Sequence, residues 1–273
     1  MNGFFVSDFS PFLYESNLIS IRYYSLFFGI GLFYLFYKIL MDMAEDINRD
    51  IIEKNFFNLV IFILIGSRLF HCLFYEYGYY SENFLEIFIP FRLETYEFIG
   101  FRGLSSHGGL AGGLLYIFFV FRKNLKKEIF FKFLDSLVLN SLIFISLIRF
   151  GNFFNSEIIG KKCAYFFCVI FPYSGYGLVP RHPVQLYEAF FYLFIFLAFA
   201  MTSNKKMASP GKISIYLITL TIFGRFILEF FKERQSDIDV SFINMGQFLS
   251  LILYFLFLVL YSYYYKELDK QNN

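Results

Sequence analysis

The sequence predicts an all-α integral membrane protein of about seven transmembrane helices, with its N-terminus outside and its C-terminus cytoplasmic. Three observations carry that expectation. The 273 residues are 58% hydrophobic with a mean hydropathy of +0.55, more apolar surface than a soluble domain of this length turns toward water. Seven stretches suit a hydrocarbon core ~30 Å thick, which takes about 20 helical residues to cross. Finally, the basic residues of the short loops favour one side.

The seven stretches run Leu18–Leu40, Phe57–Tyr79, Leu104–Phe121, Ile129–Phe150, Leu186–Met201, Ile213–Phe231 and Met245–Tyr264, the third and fifth being short. The start of the chain has no basic segment followed by a small-residue cleavage site, so the first stretch is expected to stay as a helix. One side of the predicted membrane collects Lys38, Arg49, Lys54, Arg122, Lys123, Lys126, Lys127, Lys132, Lys205, Lys206, Lys212, Lys266 and Lys270. After Arg22, the other collects Arg92, Arg102, Arg149, Lys161, Lys162, Arg181, Lys232 and Arg234, and thirteen against eight makes the first side cytoplasmic. No repeat and no Pro/Ser-rich linker divides the chain, so residues 1–273 are read as one domain with outer-face loops near 80–103 and 151–185.

Composition also excludes classes. A net charge of +2 without a long basic run argues against a nucleic-acid partner. The aromatic fraction of 24%, with 44 Phe, 22 Tyr and no Trp, accompanies many Ile, Lys and Asn residues and is read as nucleotide bias, not as an aromatic cage. Cys72, Cys163 and Cys168 fit no zinc spacing, and His, Cys and carboxylates show no metal-ligand pattern, so neither metal nor cofactor is expected. Cys163 and Cys168 are close enough for a disulfide, although unpaired thiols are the expectation.

A charged residue inside a spanning helix costs about 2.5–3.5 kcal/mol on insertion scales, so each one is a functional candidate. Arg68 with His71 falls in the second stretch, Arg149 near the end of the fourth, and Arg225 with Glu229 in the sixth. Arg225 and Glu229 also have the i, i+4 spacing of a structural ion pair. His107 opens the third stretch in Ser106-His107-Gly108-Gly109-Leu110-Ala111-Gly112-Gly113, whose glycines at i and i+4 suit close helix packing. Arg149-Phe150-Gly151-Asn152-Phe153-Phe154-Asn155-Ser156-Glu157-Ile158-Ile159-Gly160 closes the fourth stretch. Gly151 is expected to stop that helix, with the asparagines and Glu157 bonding the emerging backbone. Pro180-Arg181-His182-Pro183-Val184-Gln185-Leu186-Tyr187-Glu188 reads as a helix entry with little functional content. Guanidinium groups gathered below an interface suit a phosphate head group, which they grip through two parallel hydrogen bonds.

Ser-His-Gly-Gly-Leu-Ala-Gly, Arg-x-Gly-Asn-Phe-x-Asn-x-Glu-x-x-Gly, Arg-His-Pro-x-Gln-Leu-Tyr-Glu, Gly-Arg-Phe-x-x-Glu-Phe and Met245-Gly246-Gln247 occur in that order. Together they resemble the prolipoprotein diacylglyceryl transferases of bacterial inner membranes, over nearly the whole chain from Ile21 to Gln247. The resemblance implies seven helices with the N-terminus outside and a site facing the outer side. It implies transfer of the diacylglyceryl group of phosphatidylglycerol to the lipobox cysteine of an exported prolipoprotein, releasing glycerol phosphate. By motif match, Arg149 and Arg225 correspond to the family's essential arginines, and His107, Asn152, Glu157, Gly160 and Glu229 to other functional positions. Tyr24 matches the tyrosine of the first helix, and Gly103 is the second glycine of a Gly-Gly pair whose first member is Arg102 here. Ser25 replaces a usual glycine and Thr221 a frequent tyrosine, yet none of these departures removes a group able to bind phosphate.

The implied chemistry is attack of a thiolate on a glycerol carbon with departure of a phosphate monoester. A thiol near pKa 8.5 is only a few per cent ionised at neutral pH, so a base helps. His107 is the expected base, Arg149 and Arg225 the phosphate clamp with Asn152 as a further donor, and Glu157 and Glu229 the groups that orient the arginines. A small-solute transporter would predict inverted repeats and paired broken helices, which the sequence lacks. A non-catalytic scaffold would leave these polar groups without a common centre.

Overall fold

The computed structural model describes residues 4–15, 20–89, 91–94, 96–98, 105–201, 209–233, 239–240 and 243–269. Its helices are α1 (Tyr23–Asp42), α2 (Arg49–Phe74), α3 (Tyr77–Glu82), α4 (Ser106–Leu115), α5 (Lys127–Phe154), α6 (Val184–Met201), α7 (Lys212–Leu228) and α8 (Met245–Asp269). Six of the described helices are long and apolar enough to cross a membrane: α1, α2, α5, α6, α7 with its 3-10 extension to Phe231, and α8. Only 17% of the most apolar window of α1 and 22% of that of α2 is buried inside the protein. The rest of those apolar surfaces therefore faces outward, as a lipid solvent permits and water does not. The chain is a multi-pass membrane protein.

The expected third span takes a different form. Residues 106–124 are helical, but the α geometry of α4 gives way to a π segment, Tyr116–Val120, and then to a 3-10 turn, Phe121–Asn124. Other boundaries move for local reasons. The first helix starts at Tyr23, five residues later than expected, because Ser20–Arg22 pairs antiparallel with Phe12–Glu15. The second ends at Phe74 instead of reaching Tyr79, and a break at Tyr75–Glu76 leads into α3. The fourth does not stop at Gly151. It continues to Phe154, and a Cβ on Gly151 would come within 3.0 Å of the Tyr24 Cα, so this glycine serves close approach to α1.

The chain divides into two compact units, Met1–Ala44 with Phe131–Phe248, and Glu45–Phe130 with Leu249–Asn273. In the first unit, Leu139 and Leu142 of α5, Tyr192 and Ile195 of α6, and Leu217 of α7 form a buried apolar cluster. At the α7 N-terminus, Asp135 accepts the backbone N–H groups of Gly211 and Ser214 at 2.7 Å each, satisfying donors that a helix start leaves open. Phe153, Ile159, Val169 and Phe171 form a second cluster beneath the loop that follows α5. There Phe5–Val6 pairs in parallel with Val169–Ile170. Cys163 and Cys168 form a disulfide, against the expectation of unpaired thiols. The turn between Tyr165 and Cys168, closed by the Cys168 N–H donating to the Tyr165 carbonyl at 2.9 Å, brings the two sulfurs together.

In the second unit α2 packs on α4 through glycines. A Cβ on Gly108 would overlap the Gly66 carbonyl, and one on Gly112 would overlap that of Phe62. The glycine pattern of the third stretch thus serves packing. Arg68, buried near the end of α2, donates from Nε to the Ile87 carbonyl at 3.1 Å and from Nη2 to the Glu86 carbonyl at 2.7 Å. It holds the loop after α3 on the helix, and its guanidinium lies 4.9 Å from the Tyr80 ring centroid. His71 meets Glu76 at 3.4 Å.

Candidate active site

Within the first unit the end of α5, the start of α6 and the end of α7 converge on one carboxylate. Glu188, fully buried, lies one turn into α6. Its Oε2 is 2.9 Å from Arg149 Nε and its Oε1 is 2.9 Å from Lys232 Nζ. Lys232, itself buried, also reaches Glu229 Oε2 at 3.0 Å. Arg225 is a third cation in electrostatic reach of Glu188, and it shares a hydrogen bond with the Tyr192 hydroxyl. Arg225 stands in the last turn of α7, Glu229 opens its 3-10 extension, and Lys232 follows where the chain turns extended and bridges to Gly160. Among the described residues, three cations thus gather about Glu188, a positive field that suits an anionic ligand.

The second layer of the site comes from the loop after α5. Arg149 Nη1 donates to Asn152 Oδ1 at 3.1 Å, one helical turn on. Asn152 Nδ2 donates to Glu157 Oε2 at 3.1 Å, and Asn155 Nδ2 to Glu157 Oε1 at 3.2 Å. Asn155 Oδ1 accepts the Tyr24 backbone N–H at 3.4 Å, which ties the start of α1 to this network. Glu157 stands between two residues with left-handed backbone, Ser156 (φ 54°) and Ile158 (φ 55°). For a β-branched residue such as Ile158 that conformation costs on the order of 1–3 kcal/mol, and such strain recurs at functional positions. The Glu157 carbonyl is fixed by Gln185 Nε2 at 2.6 Å, and Arg22 Nη1 approaches its Oε1 at 3.9 Å.

Gly160 has a packing reason to be glycine: a Cβ there would overlap the His182 carbonyl. Its N–H donates to that carbonyl at 3.1 Å, and its own carbonyl accepts Arg181 Nη1 at 3.1 Å. Arg181 also pairs with Glu233. Outside the spans, His182 Nδ1 lies 3.1 Å from the Tyr187 hydroxyl, and burial pulls the imidazole below its usual pKa. Beside the network an open cavity of about 480 Å³ is lined by Arg22, Asn155, Glu157, Tyr173 and Tyr176 among others.

The first unit therefore brings together Arg149, Asn152, Glu157, Gly160, Arg225, Glu229 and Tyr24. His107 belongs to the second unit, on the first turn of α4, where the Ser105 hydroxyl accepts the Gly108 N–H at 3.4 Å. Gly103 and Arg102 lie outside the described residues. Two corrections follow. The stretch Pro180–Glu188 is not merely a helix entry, because Glu188 is the shared counter-ion of the cluster and Gln185 pins the Glu157 backbone. Arg149 is oriented first by Glu188, while Glu157 acts on it through Asn152. Lys232 escaped sequence reasoning, because it lies past the helical segment and meets Glu229 and Glu188 only through the way the chain leaves that segment.

Known proteins resemble this chain over most of its length. A family model described as prolipoprotein diacylglyceryl transferase matches residues 11–263. A phosphatidylglycerol–prolipoprotein diacylglyceryl transferase of Bacteroides fragilis is 36% identical over 249 residues, covering 89% of this chain and 88% of that protein. Proteins of the same name from Chloroherpeton thalassium (35% over 251 residues, 89% and 88%) and Helicobacter pylori (32% over 259 residues, 90% and 89%) align over similar lengths. The chain belongs to the prolipoprotein diacylglyceryl transferase family.

Proposed function

We propose that the chain transfers the diacylglyceryl group of phosphatidylglycerol to the lipobox cysteine thiol of exported prolipoproteins, the first step of lipoprotein maturation. The products are a thioether and glycerol phosphate. Family membership and the substrates named for its relatives support the reaction. The observation that carries it is the cluster of Arg149, Arg225 and Lys232 about Glu188. As the C–O bond breaks, negative charge grows on the departing phosphate, so fixed cations favour the transition state over the bound lipid. Arg149 and Arg225 hold the phosphate in this reading, Asn152 donates to it, and Glu157, Glu229, Gly160, Gly103 and Tyr24 shape the lipid site. His107 is the base that takes the thiol proton while sulfur attacks the glycerol carbon.

The protein sits in the bacterial inner membrane with seven spans, the helical run 106–124 being the seventh, and with the N-terminus outside. A disulfide at Cys163–Cys168 supports an outer, oxidising position for its loop. The chain is one catalytic domain whose outer-face loops cover residues 80–103 and 151–185.

The test is incubation of the purified protein with labelled phosphatidylglycerol and a lipobox peptide. Covalent transfer of label to the peptide cysteine is expected, and its absence from folded protein contradicts the proposal. Replacing His107 with Gln is expected to slow transfer and alter its pH profile, and an unchanged rate and profile would remove His107 as base.

A further inference from the structure

The loop closed by the Cys163–Cys168 disulfide is used by none of the chemistry above. Its base is fixed: the Cys163 N–H donates to the Pro180 carbonyl at 3.0 Å, and Val169 and Arg181 exchange two backbone hydrogen bonds of 2.9 Å. Its tip projects three consecutive rings, with Tyr165 63%, Phe166 87% and Phe167 43% exposed. Those rings support one another, Tyr165 stacking on Phe167 at 5.4 Å and Phe166 meeting Phe167 edge-on at 5.3 Å. Exposed Lys161 and Lys162 precede them.

We infer that this loop is an interfacial anchor, its rings seated among the lipids of an anionic leaflet and its lysines against their phosphates. Continuity with the apolar spans says what covers it. Phe167 lies 6.2 Å from His182 and 6.5 Å from Tyr187 in the first turn of α6, and Tyr187 lies 6.2 Å from Phe231 at the end of α7. The rings thus continue the ends of two membrane-crossing helices, the level at which aromatic side chains meet head groups. Lysines beside them match an anionic lipid surface. Disulfide closure holds the rings together on one short arc. The inference rests on the membrane reading of α6 and α7 and not on the transfer chemistry.

The chain has no Trp, so Phe166→Trp in the full-length protein supplies a single indole, excited at the red edge where tyrosine does not absorb. In vesicles of phosphatidylglycerol and phosphatidylcholine, emission is expected to be blue-shifted and quenched about twofold or more by lipid brominated near the head-group end of its chains. Opening the ring with Cys163→Ser/Cys168→Ser is expected to cut that quenching at least by about half, and Lys161→Gln/Lys162→Gln to abolish its preference for anionic vesicles. Water-like emission quenched by acrylamide and not by brominated lipid overturns the anchor. So does a lipid-insensitive emission that shifts only when lipobox peptide is added, which marks a peptide site instead. Transfer activity of the same Trp variant, expected to be normal, shows that it is folded and keeps failure of the anchor distinct from failure of the enzymatic reading.

Discussion

Arg68 and Arg149 are equally buried, at 6% and 8% exposure, each near the end of a membrane-crossing helix, yet their partners differ in kind. Arg68 donates to two backbone carbonyls and so fastens a loop to α2. Arg149 faces a buried carboxylate that Lys232 shares and Arg225 also senses. Arg68 grips the backbone of a loop whose Glu86 carboxylate also feels its charge, whereas Arg149, Arg225 and Lys232 gather about Glu188 in a field that suits an anionic ligand. The insertion cost of a charge therefore marks both residues as unusual, and what gathers around each separates a fastening from the proposed phosphate site.

The largest effect is expected from Arg225→Ala, which removes a cation proposed to hold the leaving phosphate. Losing one preorganised electrostatic group lowers kcat by about 10²–10³-fold, and a steady-state transfer assay with unchanged circular dichroism checks this. Glu188→Gln comes next. Removing one partner of a buried ion pair costs about 3–5 kcal/mol, so a thermal midpoint several degrees lower is expected together with weakened transfer. An unchanged midpoint would show that the cations are satisfied without Glu188.

The smallest effect concerns the Arg68 region and pH. Glu86 accepts the Tyr79 hydroxyl at 2.6 Å and the Leu93 N–H at 2.7 Å. The Tyr79 hydrogen bond first, then that of Leu93, holds its carboxyl below the usual value of 4.5. A depressed folded pKa means stability that is whole above that usual value and is lost as pH falls through the folded one. Tyr79→Phe is expected to lower the neutral-pH midpoint slightly and to flatten the acid limb of a melting series, with transfer unaltered. A steeper acid limb would assign the stabilisation elsewhere.

Much of this was legible in the sequence, for uneven reasons. Hydropathy reports a lipid-facing helix without knowledge of its neighbours, so six spans emerged near their expected positions. The ends drifted where tertiary contacts decide: Ser20–Arg22 joins a strand pair, and Gly151 meets Tyr24 instead of capping α5. Arg149, Arg225 and Glu229 stood out as charges in apolar segments. Glu188 meets the same criterion but was masked by the Pro-rich helix entry, and Lys232 sits just past the end of α7, where a basic residue attracts no notice. That Arg68 fastens a loop was illegible, because the loop carbonyls it grips carry no side-chain signature. The left-handed Ile158 was likewise hidden, since nothing in a β-branched residue announces that conformation.

The contrast between the two arginines is tested most directly by the matched pair Arg149→Lys and Arg68→Lys, with transfer kcat and thermal midpoint measured on each. Arg149→Lys is expected to lose about 100-fold or more in kcat, since lysine keeps the charge but not the two-pronged grip, with a midpoint near that of the parent. Arg68→Lys is expected to lower the midpoint while folded molecules keep a near-parental kcat. Near-normal kcat in Arg149→Lys, or an equal loss of kcat in a fully folded Arg68→Lys, would contradict the assignment of phosphate binding to the Glu188-centred cluster.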